Sequence, residues 1–107
     1  MIDFDTFRTL YGEAKEYSGN EELYIMERGW QDWMGDTDKI YAVSNKGFKA
    51  LMPEYRSLKH LCRWLVIPYG TAQKWASGEH EPSEYIVMLM AYATINRKGD
   101  QNGRETD

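Results

Sequence analysis

Apolar residues recur along this chain at intervals of three and four, and rarely at two. Phe4, Phe7, Tyr11, Ala14 and Ser18 form the first series, with Asp3 placed to cap it and Gly19 placed to stop it, which predicts an amphipathic helix. Asn20 followed by Glu21 and Glu22 marks a second start, because an Asx cap and two carboxylates complement the open amides and positive pole of a first turn. That helix is expected to carry Leu23, Met26, Trp30 and Trp33 along one stripe and to end near Gly35. Joined at Ser18-Gly19-Asn20, the two read as an antiparallel helical hairpin whose aromatic stripes are of core type. A third short helix is predicted after Asp36-Thr37-Asp38, with Ile40, Tyr41 and Val43 on its apolar side and a break at Asn45-Lys46-Gly47. A fourth begins near Phe48 and contains Leu51, Met52 and Tyr55, and Pro53 should kink or shorten it. No strand pattern of comparable strength exists. The polar tail from Gly99 to Asp107 holds no apolar residue and is expected to be frayed or disordered.

From Ser57 the pattern tightens. Ser57 can cap a helix that turns Leu58, Leu61, Cys62 and Leu65 inward, and Val66-Ile67-Pro68 ends it. A second short helix is predicted from Tyr69 to Ser77, with Ala72 and Trp75 inward and Gly78 as a left-handed cap. Two short helices across a three- to four-residue turn make a helix-turn-helix unit. A longer helix from Pro82, with Glu84 in its first turn, is expected to bury Ile86, Leu89, Met90 and Ala93 and close the core. The fold expected is therefore all-α, with about five to six helices. It divides into an N-terminal helical hairpin over 1–35, a helix-turn-helix domain over 36–98 and a tail over 99–107. The helix-turn-helix unit itself is expected over 57–78, and the closing helix over 82–96.

Length and composition narrow the classes. At 107 residues, 42% hydrophobic and 28% charged, the chain suits one globular domain, or one with a small appendage. The apolar stretch between Tyr85 and Ile95 falls well short of the ~20 residues that span a bilayer, so no membrane association is expected. The start, MIDFDTF, has no basic region followed by an apolar one, so no secretory signal is expected either. A single cysteine, Cys62, excludes an internal disulfide and points to a reducing cytoplasm. The net charge of −4 is unevenly spread. Residues 1–56 carry 7 Lys+Arg and 11 Asp+Glu, residues 57–98 carry 5 and 3, and residues 99–107 carry 1 and 3. A mildly basic segment lies between acidic ones.

Catalytic groups do not converge. His60 and Cys62 are two apart on one helix and point in different directions, His80 falls in a turn, and no third ligand has metal-site spacing. His60 is expected at the surface and Cys62 in the core. Asp36 and Asp38 read as a helix start rather than a paired-carboxylate site. No enzyme activity, metal or cofactor is expected.

The segment 57–95 resembles the helix-turn-helix domain of the Cro and phage-repressor class. More narrowly, it resembles small regulators of Firmicutes mobile elements that read I-P-x-R-T-x-Q-x-W-E-x-G followed by a proline and a tyrosine. Ile67, Pro68, Thr71, Gln73, Trp75, Gly78, Pro82 and Tyr85 fall on that pattern. The resemblance implies a helix that enters the major groove with its first residues at the base edges. Tyr69, Gly70, Gln73 and Lys74 would then face bases, and Lys59, Arg63 and Thr71 would face phosphates. Such readers often act as homodimers, for which Met88, Met90 and Tyr92 or the N-terminal hairpin could supply the contact.

The departures are equally specific. Gly70 stands where arginine is common in such sequences, Val66 replaces the turn glycine and implies a different local backbone, and Glu79-His80-Glu81 replaces basic residues. Double-stranded DNA is the expected partner and transcriptional regulation in a phage or mobile element the expected role. The alternative is a phage-encoded, anti-CRISPR-like inhibitor that binds a host defence nuclease or another protein, with Tyr24, Trp30 and Trp33 as exposed interface anchors.

Overall fold

The computed structural model describes residues 2–28 and 34–96. The described residues form six α-helices: α1 (Phe4–Glu16), α2 (Glu21–Arg28), α3 (Met34–Lys46), α4 (Leu58–Leu65), α5 (Tyr69–Ser77) and α6 (Glu84–Asn96). The fold is all-α, and no strand occurs among the described residues. Trp30 and Trp33 lie outside those residues, as does the polar tail, so the expectations placed on them have no structural counterpart here.

Local chemistry sets the helix ends. The Asp3 carboxylate accepts from the Thr6 amide at 2.7 Å and starts α1, and Gly19 at φ 83° ends the turn that follows. The Gly19 and Asn20 amides both donate to the Tyr41 hydroxyl, at 2.9 and 3.2 Å, and that hydroxyl donates to the Tyr17 carbonyl at 3.1 Å. One side chain of α3 thus closes the turn between α1 and α2. Helix α3 begins at Met34, before Asp36, and stops at Gly47, φ 79°. In place of a fourth full helix the chain makes two 3₁₀ turns, Gly47–Ala50 and Met52–Glu54. Pro53 sits in the second, where its ring and missing N–H prevent an α-helix from continuing.

One hydrophobic core runs through both halves of the chain. Phe7, Leu10 and Tyr11 of α1 share it with Ile40, Phe48, Leu61, Ala72, Val87 and Ile95, so the boundary expected at residue 35 does not divide the core. A smaller cluster of Ala14, Tyr24 and Tyr41 sits beside it. The chain ends are tied together as well. The Ile2 amide donates to the Asn96 side-chain oxygen at 3.2 Å, and the Asn96 amide group donates back to the Ile2 carbonyl at 3.1 Å.

Two expected faces are corrected. On α2 the inward residue is Tyr24, fully buried, while Leu23 and Met26 are exposed. The Tyr24 hydroxyl donates to the Leu10 carbonyl at 2.9 Å and its ring lies between Tyr17 and Tyr41, at centroid distances of 5.7 and 5.5 Å. Tyr24 is therefore no exposed interface anchor. On α6 the buried residues are Val87, Met90, Ala91, Thr94 and Ile95, while Ile86 and Ala93 are exposed and Leu89 is half-buried. The Met88-Met90-Tyr92 surface offered for dimerisation is not open either. Met90 is buried, and Tyr92 packs on Phe4 and Phe7 at 5.2 and 5.3 Å between centroids.

Candidate nucleic-acid interface

The α4–α5 unit is built from caps and small residues. The Ser57 hydroxyl accepts from the His60 amide at 3.1 Å and starts α4. At the other end the Ile67 amide donates to the Cys62 carbonyl at 3.0 Å while Val66 adopts the left-handed conformation, φ 57° and ψ 55°. This is a Schellman closure with valine where glycine is usual. The altered backbone expected from that replacement is not found: Val66 takes up the glycine-like geometry, at a steric cost of about 1–2 kcal/mol for an L-residue. Pro68 then precedes α5, and its carbonyl accepts from the Ala72 amide at 3.1 Å. Gly78, φ 85°, ends α5.

Ala72 has no exposed surface, so its methyl group lets α5 seat directly on the core. Trp75 is half-buried and meets Phe48 edge to face, 5.4 Å between ring centroids. These two positions fix which side of α5 faces out. Tyr69, Gly70, Thr71, Gln73 and Lys74 are all exposed on it, as are Lys59 and Arg63 on α4. The Lys59 ammonium lies 5.6 Å from the centre of the Tyr69 ring, a cation–π contact that holds both at the start of α5. Among the described residues, the side chains of Thr71, Gln73 and Lys74 form no hydrogen bond or ion pair with one another or with any neighbour. All seven sequence-predicted residues thus fall on the exterior of one two-helix unit.

A shallow groove crosses this face, lined by Leu58, Gly70, Gln73, Lys74, Ser77 and Glu79 among others. Leu58 and Ser77 were missed as face residues: Leu58 was assigned wholly to the core, and the spacing 70, 73, 74, 77 that joins Ser77 to the face was legible as one helical stripe. Glu79 brings a carboxylate to the edge of a face otherwise suited to anions. Gly70 is not required by the backbone, since it has no positive φ, and a Cβ there would meet nothing within 4 Å.

The remaining candidates separate cleanly. His60, expected at the surface, is 3% exposed. Its ring meets Tyr55 edge to face at 5.6 Å and its Nδ1 accepts from the Arg56 amide at 3.2 Å, so the turn before α4 folds over it. Cys62 is buried, and burial raises its thiol pKa, which suits an inert core residue. A second cavity lies behind α5, between Tyr11, Lys15, Phe48, Trp75, Glu81 and Glu84. Within it Lys15 is paired with Glu84 and also donates to the Ser44 carbonyl at 2.8 Å. Burial, with Glu84 nearby, pushes the Tyr11 hydroxyl up to about 12. Among the described residues no three His, Cys, Asp or Glu side chains are grouped to hold a metal ion, and no helix is long and apolar enough to cross a membrane. Comparison with protein-family models, curated proteins and solved structures finds no match to this chain.

Proposed function

We propose that the chain is a sequence-dependent double-stranded DNA-binding protein of the helix-turn-helix kind, acting in the cytoplasm as a transcriptional regulator of a phage or mobile element. The observation that carries this reading is the outer face of α5, where Gln73 and Lys74 stand exposed and unengaged on a helix anchored by the fully buried Ala72. Gln73 has the amide pair that matches adenine, and Lys74 reaches guanine or a phosphate. Lys59, Arg63 and Thr71 grip the backbone on either side. The role is binding rather than catalysis, and a homodimer on half-sites about 34 Å apart is the working arrangement.

A net charge of only +2 over residues 57–98, with Glu79 on the groove, makes the affinity weak and strongly salt-dependent. The test is a titration of a mixed-sequence duplex library at low and physiological salt with wild type and Lys74→Ala. Binding at low salt is expected. The substitution should cost about 1–3 kcal/mol for a base contact, or lower the salt slope by about one for a phosphate contact. No binding at low salt contradicts the reading and favours the second one, a protein-binding module, for which Glu79 beside Lys74 is the supporting observation.

A further inference from the structure

The cavity behind α5 plays no part in the DNA-binding reading. It measures about 480 Å³ and lies between α1, the C-terminal end of α3, the 3₁₀ turn Gly47–Ala50, Trp75 of α5 and the first turn of α6, a size that suits a small organic ligand. Tyr11 forms part of its wall. That residue is 3% exposed, yet its hydroxyl makes no hydrogen bond among the described residues. The other buried tyrosines differ: Tyr24 donates to the Leu10 carbonyl, Tyr41 to the Tyr17 carbonyl, and Tyr55 pairs with the Thr94 hydroxyl. Removing a phenol from water without giving it a partner costs stability, so Tyr11 is the exception to be explained. Glu84, another wall residue, acts on the Tyr11 hydroxyl through space, which places that hydroxyl on the cavity side of its ring. Together with burial it keeps the phenol protonated, and the group is therefore a donor that awaits an acceptor.

The rest of the wall selects the acceptor. Phe48 and Trp75, edge to face at 5.4 Å between centroids, supply an apolar ring surface. Lys15 is committed to Glu84 and the Ser44 carbonyl. Lys46 and Lys49 are exposed and have no ion-pair or hydrogen-bond partner among the described residues, and Glu81 is the one wall carboxylate left to set against them. The uncommitted charge of the cavity is thus positive. We propose that this cavity binds a small aromatic carboxylate, with its ring against Phe48 and Trp75 and its carboxylate accepting from the Tyr11 hydroxyl and drawn in by Lys46 and Lys49. The site touches α5 from the side of Trp75, opposite Gln73 and Lys74, and does not rest on DNA binding.

The test is calorimetric titration of the full chain with 2-naphthoate. Saturable binding with a dissociation constant below about 1 mM is expected. The neutral 2-naphthamide, which keeps the rings, and acetate, which keeps the charge, should each bind at least about tenfold more weakly. Tyr11→Phe leaves the core ring in place and should weaken 2-naphthoate binding about tenfold, the worth of a hydrogen bond to a charged group. It should also melt no lower than wild type, because no internal hydrogen bond is lost. Replacing Lys46 and Lys49 together by Gln should remove most of the salt dependence of binding. No saturable binding in that range, equal binding of the amide, full affinity in Tyr11→Phe, or a lowered melting temperature in that variant would each overturn the inference. None of these outcomes bears on duplex binding by α5.

Discussion

The α1–α2 end and the α4–α5 unit use polar side chains in opposite ways. At the first, they are consumed internally: Tyr24 donates to Leu10, Tyr41 closes the turn, Tyr17 donates to Glu27 at 2.5 Å, and Arg28 pairs with Glu13 at 2.7 Å. At the second, the polar side chains Thr71, Gln73 and Lys74 point out, while Ala72 and Trp75 seat the helix on the core and backbone caps close its ends. A buried tyrosine hydroxyl needs a partner within the protein. The Gln73 amide and the Lys74 ammonium are exposed on α5 and have no hydrogen-bond or ion-pair partner among the described residues. Helix α5 therefore combines fixed geometry with uncommitted chemistry, and the N-terminal end provides structure.

The sharpest way to break this contrast is Tyr24→Ala, which removes a fully buried ring and its hydrogen bond to Leu10. A loss of about 3–5 kcal/mol is expected in urea unfolding, by analogy with other aromatic-to-alanine core truncations. Next in size is Lys74→Ala: stability should stay within about 0.5 kcal/mol of wild type while the duplex affinity falls. Equal losses in both would mean that Lys74 belongs to the structural group after all. Val66→Gly should then raise stability by about 1 kcal/mol, because glycine adopts φ 57° without the Cβ clash. A melting temperature higher by about 4–8 °C checks this.

The smallest effect concerns Asp3. The hydrogen bond from the Thr6 amide holds its carboxyl below the ordinary 3.8. A carboxyl with a depressed folded-state pKa stabilises the fold above its unfolded value and loses that contribution as pH falls through the folded one. The melting temperature should accordingly drop as pH falls below about 4, and Asp3→Asn should flatten that drop. An unchanged acid limb in the variant would show that the cap carries no titrating stability.

Much of the fold was legible in local chemistry. Asp3, Ser57, Gly19, Gly47 and Gly78 mark helix ends through caps and positive φ, and Pro53 limits its segment to 3₁₀ turns. These are interactions within a few residues, which a sequence displays directly. The faces of α2 and α6 were not legible, for different reasons. Helix α2 offers two competing sides, and the choice falls to Tyr24 because its hydroxyl reaches a carbonyl on α1, fourteen residues away. Helix α6 carries apolar residues all round, so periodicity cannot select a side, and packing against α1 and α3 decides. His60 was misplaced because polarity alone suggested the surface, whereas Tyr55 and the Arg56 amide enclose it. On α5 the inward Ala72 and half-buried Trp75 leave one outward side, so the spacing could place Tyr69, Gly70, Gln73 and Lys74 at the surface, although Ser77 on the same stripe went unread.

The most direct measurement is residue-resolved amide chemical-shift mapping of the full chain titrated with a mixed-sequence duplex at low salt. If α5 is the reading element, the shifts concentrate at Tyr69, Gly70, Thr71, Gln73 and Lys74, with Lys59 and Arg63 beside them, while residues 4–28 stay unmoved. Shifts confined to α1 and α2, or none at all, would contradict it.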